Sequence, residues 1–323
     1  MIVDNTVLIL GAGASVDYGF PTGRGLLLQI CQDGRTNEKL HRFLSDQMAI
    51  SRQHQIERFV YALERSASPS VDFFLENRKE FEEIGKLAIA ATLIPCEKYE
   101  AFQPTDRPRW YETLFHFMVE GGRFEDNHLS VITFNYDRSL EAFLFQSLKN
   151  LYGLDDETAE EQLRKIPIIH LYGSLGDRLT WEGPARGYGP ELKENWVTEA
   201  AKGIKIVHEV KPTGGDFENA LKLLKSAVEV IFLGFGFHPI NVQRLRLKEA
   251  AQWQKIAHLG RQTRWLACRK GIYDGDVNRA MRHLNGLPVD FAALPDWDIN
   301  QFLEHTPCLL PPGNQPVWPN RVS

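Results

Sequence analysis

Four clusters of polar and glycine residues stand where apolar runs end. Gly11-Ala-Gly-Ala-Ser15 follows Val7–Leu10, and Asn135-Tyr-Asp137 follows Leu129–Phe134. His170-Leu-Tyr172-Gly173-Ser174 closes the run from Ile166. Gly234-Phe-Gly236 follows Glu229–Leu233, and Asn241 opens the next helical pattern. A glycine turn between strand and helix lets the backbone approach a phosphate, and free N–H groups of the first helical turn point at the anion. Gly11, Ala12, Gly13 and Ser15 are therefore candidate contacts for a pyrophosphate. Val16 stands where the usual third glycine of a dinucleotide fingerprint would be, and the same residues also make a plain strand-to-helix turn. Asn135 carries a neutral amide that donates and accepts, suited to orienting a sugar hydroxyl or a water, and it is equally a preferred helix N-cap. A histidine such as His170 is suited to general-base work, or is simply satisfied at a strand end. Asp137 fits the first turn of a helix. Gly234 and Gly236 form either a second ligand-facing loop or a turn.

The elements that must position these residues follow from the apolar pattern. Strands are expected at Val7–Leu10, Leu129–Phe134, Ile166–Leu171, Ile204–Val207, Val228–Leu233 and Arg264–Ala267. Several are apolar on consecutive residues, as parallel strands covered on both faces are. Alternation with helical patterns predicts an α/β fold, a Rossmann-like doubly wound parallel sheet. In such a sheet the ligand crevice lies beyond the carboxyl ends of the strands, so the glycine loop, Asn135 and His170 are expected to converge there. Residues 36–120 read as a helical insertion. Ile56, Phe59, Val60 and Leu63 form a helical stripe, Ser70 is placed to cap the next helix, and Leu87–Ile94 is a helix stopped by Pro95. The acidic stretch 152–165 reads as a loop with a short helix, and 181–190 as a glycine- and proline-rich loop near the site. The sheet and its insertion thus occupy residues 1–306, followed by a proline-rich tail, 307–323, that contains Trp318.

The chain of 323 residues is 43% hydrophobic and 24% charged, the balance of a globular protein. A net charge of −5 gives no reason to expect direct nucleic-acid binding. No apolar run reaches the length of about 18 residues that a membrane span needs, and no secretory signal is visible at the N-terminus. Cys31, Cys96, Cys268 and Cys308 are scattered, which argues against a zinc ribbon or a disulfide framework. A cytoplasmic setting and no bound metal are expected.

In their order, the four clusters resemble the motifs of the sirtuin-like family, in particular the divergent bacterial branch usually called SIR2-like. Gly11-Ala-Gly-Ala-Ser15 with Gly19-Phe-Pro21 looks like the sirtuin NAD-binding loop. Thr133-Phe-Asn135-Tyr-Asp137 looks like its Thr-x-Asn-x-Asp motif, His170-Leu-Tyr-Gly173-Ser174 like its His-Gly motif, and Leu233-Gly-Phe-Gly236 like its later glycine loop. The resemblance spans residues 7 to about 241. The chain differs from the protein deacetylases of the family in lacking the paired cysteines of their zinc ribbon. It also has Pro21-Thr-Gly-Arg-Gly25 in place of an acidic-aromatic-arginine stretch. Their catalytic histidine directly precedes the glycine; here Tyr172 does, and His170 lies two residues earlier. Residues i and i+2 of a strand share a face, so either His170 or Tyr172 can serve the crevice.

The resemblance implies an NAD hydrolase of bacterial antiviral defence that cleaves NAD+ to nicotinamide and ADP-ribose, with NAD as substrate. Asn135 and His170 would be catalytic. Gly11, Ala12, Gly13 and Ser15 would hold the pyrophosphate. Asp137, Tyr172, Gly173, Ser174, Gly234, Gly236 and Asn241 would make the remaining contacts. It also implies a homo-oligomer or a separate activating partner such as a HerA-type ATPase. The alternatives are a module that binds NAD or ADP-ribose without turnover, and an ADP-ribosyltransferase or deacylase. The missing zinc ribbon counts against the deacylase.

Overall fold

The computed structural model describes residues 1–36, 50–177, 179, 186–211, 213–257, 263–284, 286–291, 297–306 and 308–309. Half of the expected loop at 181–190 (residues 181–185) and nearly all of the tail from Pro307 lie outside the described residues.

Six parallel strands make one sheet: β1 (Thr6–Leu10), β2 (Leu129–Thr133), β3 (Ile168–His170), β4 (Glu229–Leu233), β5 (Arg264–Ala267) and β6 (Val289–Asp290). All five residues of β1 and of β4 are buried, the signature of a sheet covered on both faces. The strand order is β3-β2-β1-β4-β5-β6. The chain thus runs outward from β1 to β3, then returns to β4 on the other side of β1. This is the doubly wound Rossmann-like arrangement, and its switch point lies between β1 and β4. The register makes the site possible. Leu10 pairs with both Thr133 and Leu233, and Thr133 pairs with His170, so four strands end level.

Between β1 and β2 the described residues form α1 (Gly23–Thr36), α2 (Ile50–Arg65), α3 (Val71–Asn77), α4 (Glu82–Leu93) and α5 (Trp110–Val119), with short 3-10 turns. The α2 stripe of Ile56, Phe59, Val60 and Leu63 is buried. Ser70 caps α3 as expected, its hydroxyl accepting from Phe73 N at 3.2 Å. In α4 every residue from Leu87 to Leu93 is buried, and Pro95, lacking an N–H, ends it. The remaining helices are α6 (Ser139–Tyr152), α7 (Asp156–Leu163), α8 (Glu194–Gly203), α9 (Gly215–Ser226), α10 (Pro239–Arg244), α11 (Leu247–Ala257), α12 (Asp274–Leu284) and α13 (Ile299–His305). No described helix is long and apolar enough to cross a membrane.

Two expectations need correction. Ile204–Val207 is no strand. Ile204 and Ile206 are buried, but beyond bonds to the adjoining α8 and 3-10 turn this stretch makes one backbone bond among the described residues, Lys205 N–H to Tyr172 O at 2.9 Å, and it then enters a 3-10 turn over Val207–Glu209. It packs against a turn and has no strand to pair with. β6 was not expected, because two paired residues are too short to show a period.

Candidate functional site

The level strand ends open into a cavity of about 340 Å3. Its floor is Gly11 and Ala12 after β1, Phe134 and Asn135 after β2, and Phe235 and Gly236 after β4. One wall is α3, through Asp72, Phe73 and Glu76; the other includes Tyr172, His238 and Asn241. The helical insertion thereby supplies a wall of the crevice at the switch point.

Loop packing explains most of the glycines. Gly11 N–H donates to Leu233 O at 3.0 Å, and Gly13 N–H donates to Gly234 O at 3.1 Å. A Cβ on Gly11 would sit 2.6 Å from Gly234 O, and one on Gly13 would sit 2.9 Å from Gly234 Cα. Gly234 has φ +59° and would place its own Cβ 2.0 Å from Ala14 N. These glycines let the β1 and β4 loops lie against each other. The N–H groups of Gly11 and Gly13 are thereby engaged across the loops, while Gly11 still lines the crevice. Gly236 differs: a Cβ there meets nothing within 4 Å, so its bare face is open crevice.

Asn135 is held more tightly than a surface cap. Its Nδ2 donates to Gly11 O at 3.1 Å and to Ser15 Oγ at 3.2 Å, and its own N–H donates to Thr133 Oγ1 at 3.0 Å. A carbonyl can only accept, so the amide nitrogen must face Gly11, which fixes the rotamer's sense. Oδ1 has no hydrogen-bond partner among the described residues and is the atom left for the crevice. The residue does not cap α6, whose N-cap is Arg138 with no side-chain cap bond. Asp137, one residue before the cap, accepts from Ser139 N at 3.1 Å and from the Ser139 hydroxyl, which in turn pairs with Tyr111 Oη at 2.7 Å. Burial pushes the Asp137 pKa up. Ser15 and Asp137 therefore sit beneath the site and brace it, and neither lines the crevice.

The sequence expectation of convergence fails for His170. Its Nδ1 pairs with Asn135 O at 2.9 Å and its Nε2 with Glu141 Oε1 at 2.6 Å. Burial would lower its pKa, but the Glu141 carboxylate and the hydrogen bonds outweigh that and raise it. His170, Gly173 and Ser174 line a different cavity, on the outer side of β3. Gly173, at φ +74°, packs so closely on Gly203 O that a Cβ would lie 1.9 Å away, and Ser174 Oγ donates to Gly176 O at 3.0 Å. Tyr172, by contrast, faces the crevice. Its hydroxyl donates to Asn241 Oδ1 at 3.3 Å, and burial pushes its pKa up to about 12. Phe134 joins the aromatic wall, with ring centroids 5.8 Å from Tyr172 and 5.1 Å from Phe235.

Several crevice residues carry no motif. Tyr136 donates to Asp72, whose pKa burial raises. Glu76 lies one turn further along α3. His238 stands with its ring centroid 6.2 Å from that of Phe73, and burial lowers its pKa. Ser70-Val-Asp-Phe-Phe-Leu reads in sequence as a packing helix, so nothing marked Asp72 or Glu76; Tyr136 sits between Asn135 and Asp137, and His238 two residues past Gly236. No protein-family model matches the chain, and no curated protein matches it either.

Proposed function

We propose that this crevice binds NAD+ and that the chain hydrolyses its nicotinamide–ribosyl bond. One observation carries the reading: Asn135, only 8% exposed, presents an unengaged acceptor at the switch point of a doubly wound sheet, where such folds bind dinucleotides. The open face of Gly236 and the aromatic wall fit a nucleoside lying beside it.

In the reaction, water oxygen bonds to the ribosyl C1′ as the bond from C1′ to the pyridinium nitrogen breaks. The bonding pair stays on that nitrogen, nicotinamide leaves neutral, and the water's proton passes to a base. The leaving group needs no protonation, so the protein's work is positioning and charge stabilisation. Asn135 Oδ1 would accept from a ribose hydroxyl or from the attacking water. His238 lines the crevice with its charged form disfavoured by burial and would take the proton. A Tyr172 phenol titrating near 12 supports a donor role rather than a base role. The two engaged nitrogens of His170 support a positioning role, through the Asn135 carbonyl.

The test is incubation of the purified chain with NAD+, with nicotinamide and ADP-ribose separated by chromatography. Free ADP-ribose from the wild type, with kcat/KM at least about 100-fold lower in Asn135→Ala, is expected. Equal turnover by the two proteins overturns the mechanism. Label left on protein would mark a transferase, and saturable binding without turnover a sensor. The resemblance extends the proposal to a defence effector that assembles as a homo-oligomer or acts with a separate ATPase. Light scattering that shows monomer alone, with NAD+ and with the partner, would remove that part.

A further inference from the structure

We propose that the crevice reads the positive charge of its ligand through Glu76, so that its substrate class is the cationic N-ribosylpyridinium rather than dinucleotides at large. This rests on the NAD+ reading above and names the half of the molecule that the cavity seats. Asp72 and Glu76 are four residues apart on α3 and therefore share a face, and both line the crevice. The Asp72 carboxylate accepts from the Tyr136 hydroxyl. Glu76 has no hydrogen bond or ion pair among the described residues, and no described lysine or arginine lines the cavity. His238 faces Glu76 with burial disfavouring its charged form, and on the opposite wall the Arg244 guanidinium lies behind the Tyr172 ring, 6.0 Å from its centroid.

Asn135 gives an independent indication. It is more than nine-tenths buried, and its Oδ1 is an acceptor without a donor among the described residues. An acceptor and two carboxylates between aromatic walls suit a ligand that brings donors and a delocalised cation. A diphosphate would be repelled by the Glu76 carboxylate, and a neutral adenine would gain nothing from it. A cavity of about 340 Å3 is at the small end for ligand sites and has room for one nucleoside. The placement also suits the reaction. Positive charge passes from the ring to the ribosyl group as the bond breaks and stays in the field of Glu76, while the neutral nicotinamide is no longer held.

The test titrates the full chain calorimetrically with two ligands, for wild type and Glu76→Gln. One is carba-NAD+, a cationic analogue whose carbocyclic ribose resists cleavage; the other is NADH, neutral at the ring. A unit charge roughly 6 Å from a carboxylate, in an effective dielectric of about 40, yields a preference of about tenfold. The expected result is carba-NAD+ bound about tenfold more tightly than NADH by the wild type, and the two within about twofold for Glu76→Gln, with NADH affinity unchanged. Glu76→Ala should behave in the same way. Equal wild-type affinities alongside intact NAD+ turnover overturn the charge reading alone. A preference that survives both substitutions overturns the role of Glu76. Failure to bind either ligand, together with no turnover, overturns the NAD+ reading and this inference with it.

Discussion

Both ring nitrogens of His170 are held, by the Asn135 carbonyl at 2.9 Å and by Glu141 at 2.6 Å, so its protonation is tied to the fold rather than to the crevice. Its pKa is raised above the ordinary 6.5, with Asp137 adding to the effect of Glu141. A raised histidine favours folding while it is protonated. Its contribution is full below about 6.5 and is lost as pH rises through the folded-state value. The stability gap between wild type and His170→Gln, read from urea unfolding, is therefore expected to be widest near about pH 6 and to narrow by about pH 9. A gap that widens with pH would sink this account. The residue types at the strand ends were legible in the sequence, but their directions were not. The argument that His170 and Tyr172 share a face assumed that both lie on the strand. β3 ends at His170, because Pro167 delays its start and Gly173, at φ +74°, turns the chain away. Tyr172 falls in the turn and swings to the crevice.

At the level of elements, the glycines of the β1 and β4 loops show why a motif is easier to find than to interpret. A glycine that lets a backbone approach a ligand and one that lets it approach another loop leave the same letter in the sequence. Gly11, Gly13 and Gly234 are of the second kind, and Gly236 has the open face that the first kind needs. The two kinds respond oppositely to a methyl group. Gly234→Ala forces both a left-handed residue and a Cβ 2.0 Å from Ala14 N, and is expected to cost more than about 2 kcal/mol or prevent folding. Gly236→Ala should leave urea-unfolding stability within about 1 kcal/mol while weakening NAD+ binding, since its Cβ projects into the crevice. Comparable destabilisation by both would show that Gly236 is structural. Strands were legible where a ladder uses consecutive apolar residues, as in β1 and β4. Ile204–Val207 has the same composition without a partner strand, and composition cannot show a missing neighbour.

Across the whole molecule, the crevice exists only if the helical insertion stays docked on the sheet, because α3 supplies Asp72 and Glu76. A buried ion triad helps to hold that docking. Glu97, with no exposed side-chain surface, follows α4; Arg138 leads into α6 after β2; Arg186 lies beyond β3. Arg138 grips the carboxylate through Nε at 3.1 Å and Nη2 at 3.0 Å, and Arg186 also bonds to it. The carbonyls of Gly187, Leu175 and Gly189 take further guanidinium protons at 3.0, 3.3 and 3.0 Å. Two cations share one anion here, and burial lowers the Arg186 pKa, so the carboxylate is what makes the arrangement tolerable. Glu97→Gln removes the one carboxylate to which both buried guanidinium groups bond and is expected to cost about 3–5 kcal/mol in urea unfolding. The triple change Glu97→Leu, Arg138→Met, Arg186→Met removes every charge together and should cost less than Glu97→Gln alone. If the triple variant is the weaker of the two, the attachment depends on the hydrogen bonds to the three carbonyls more than on the charges. In either case the proposed NAD+ turnover should fall in Glu97→Gln in proportion to the folded fraction, because the triad acts on the crevice only by keeping its wall in place.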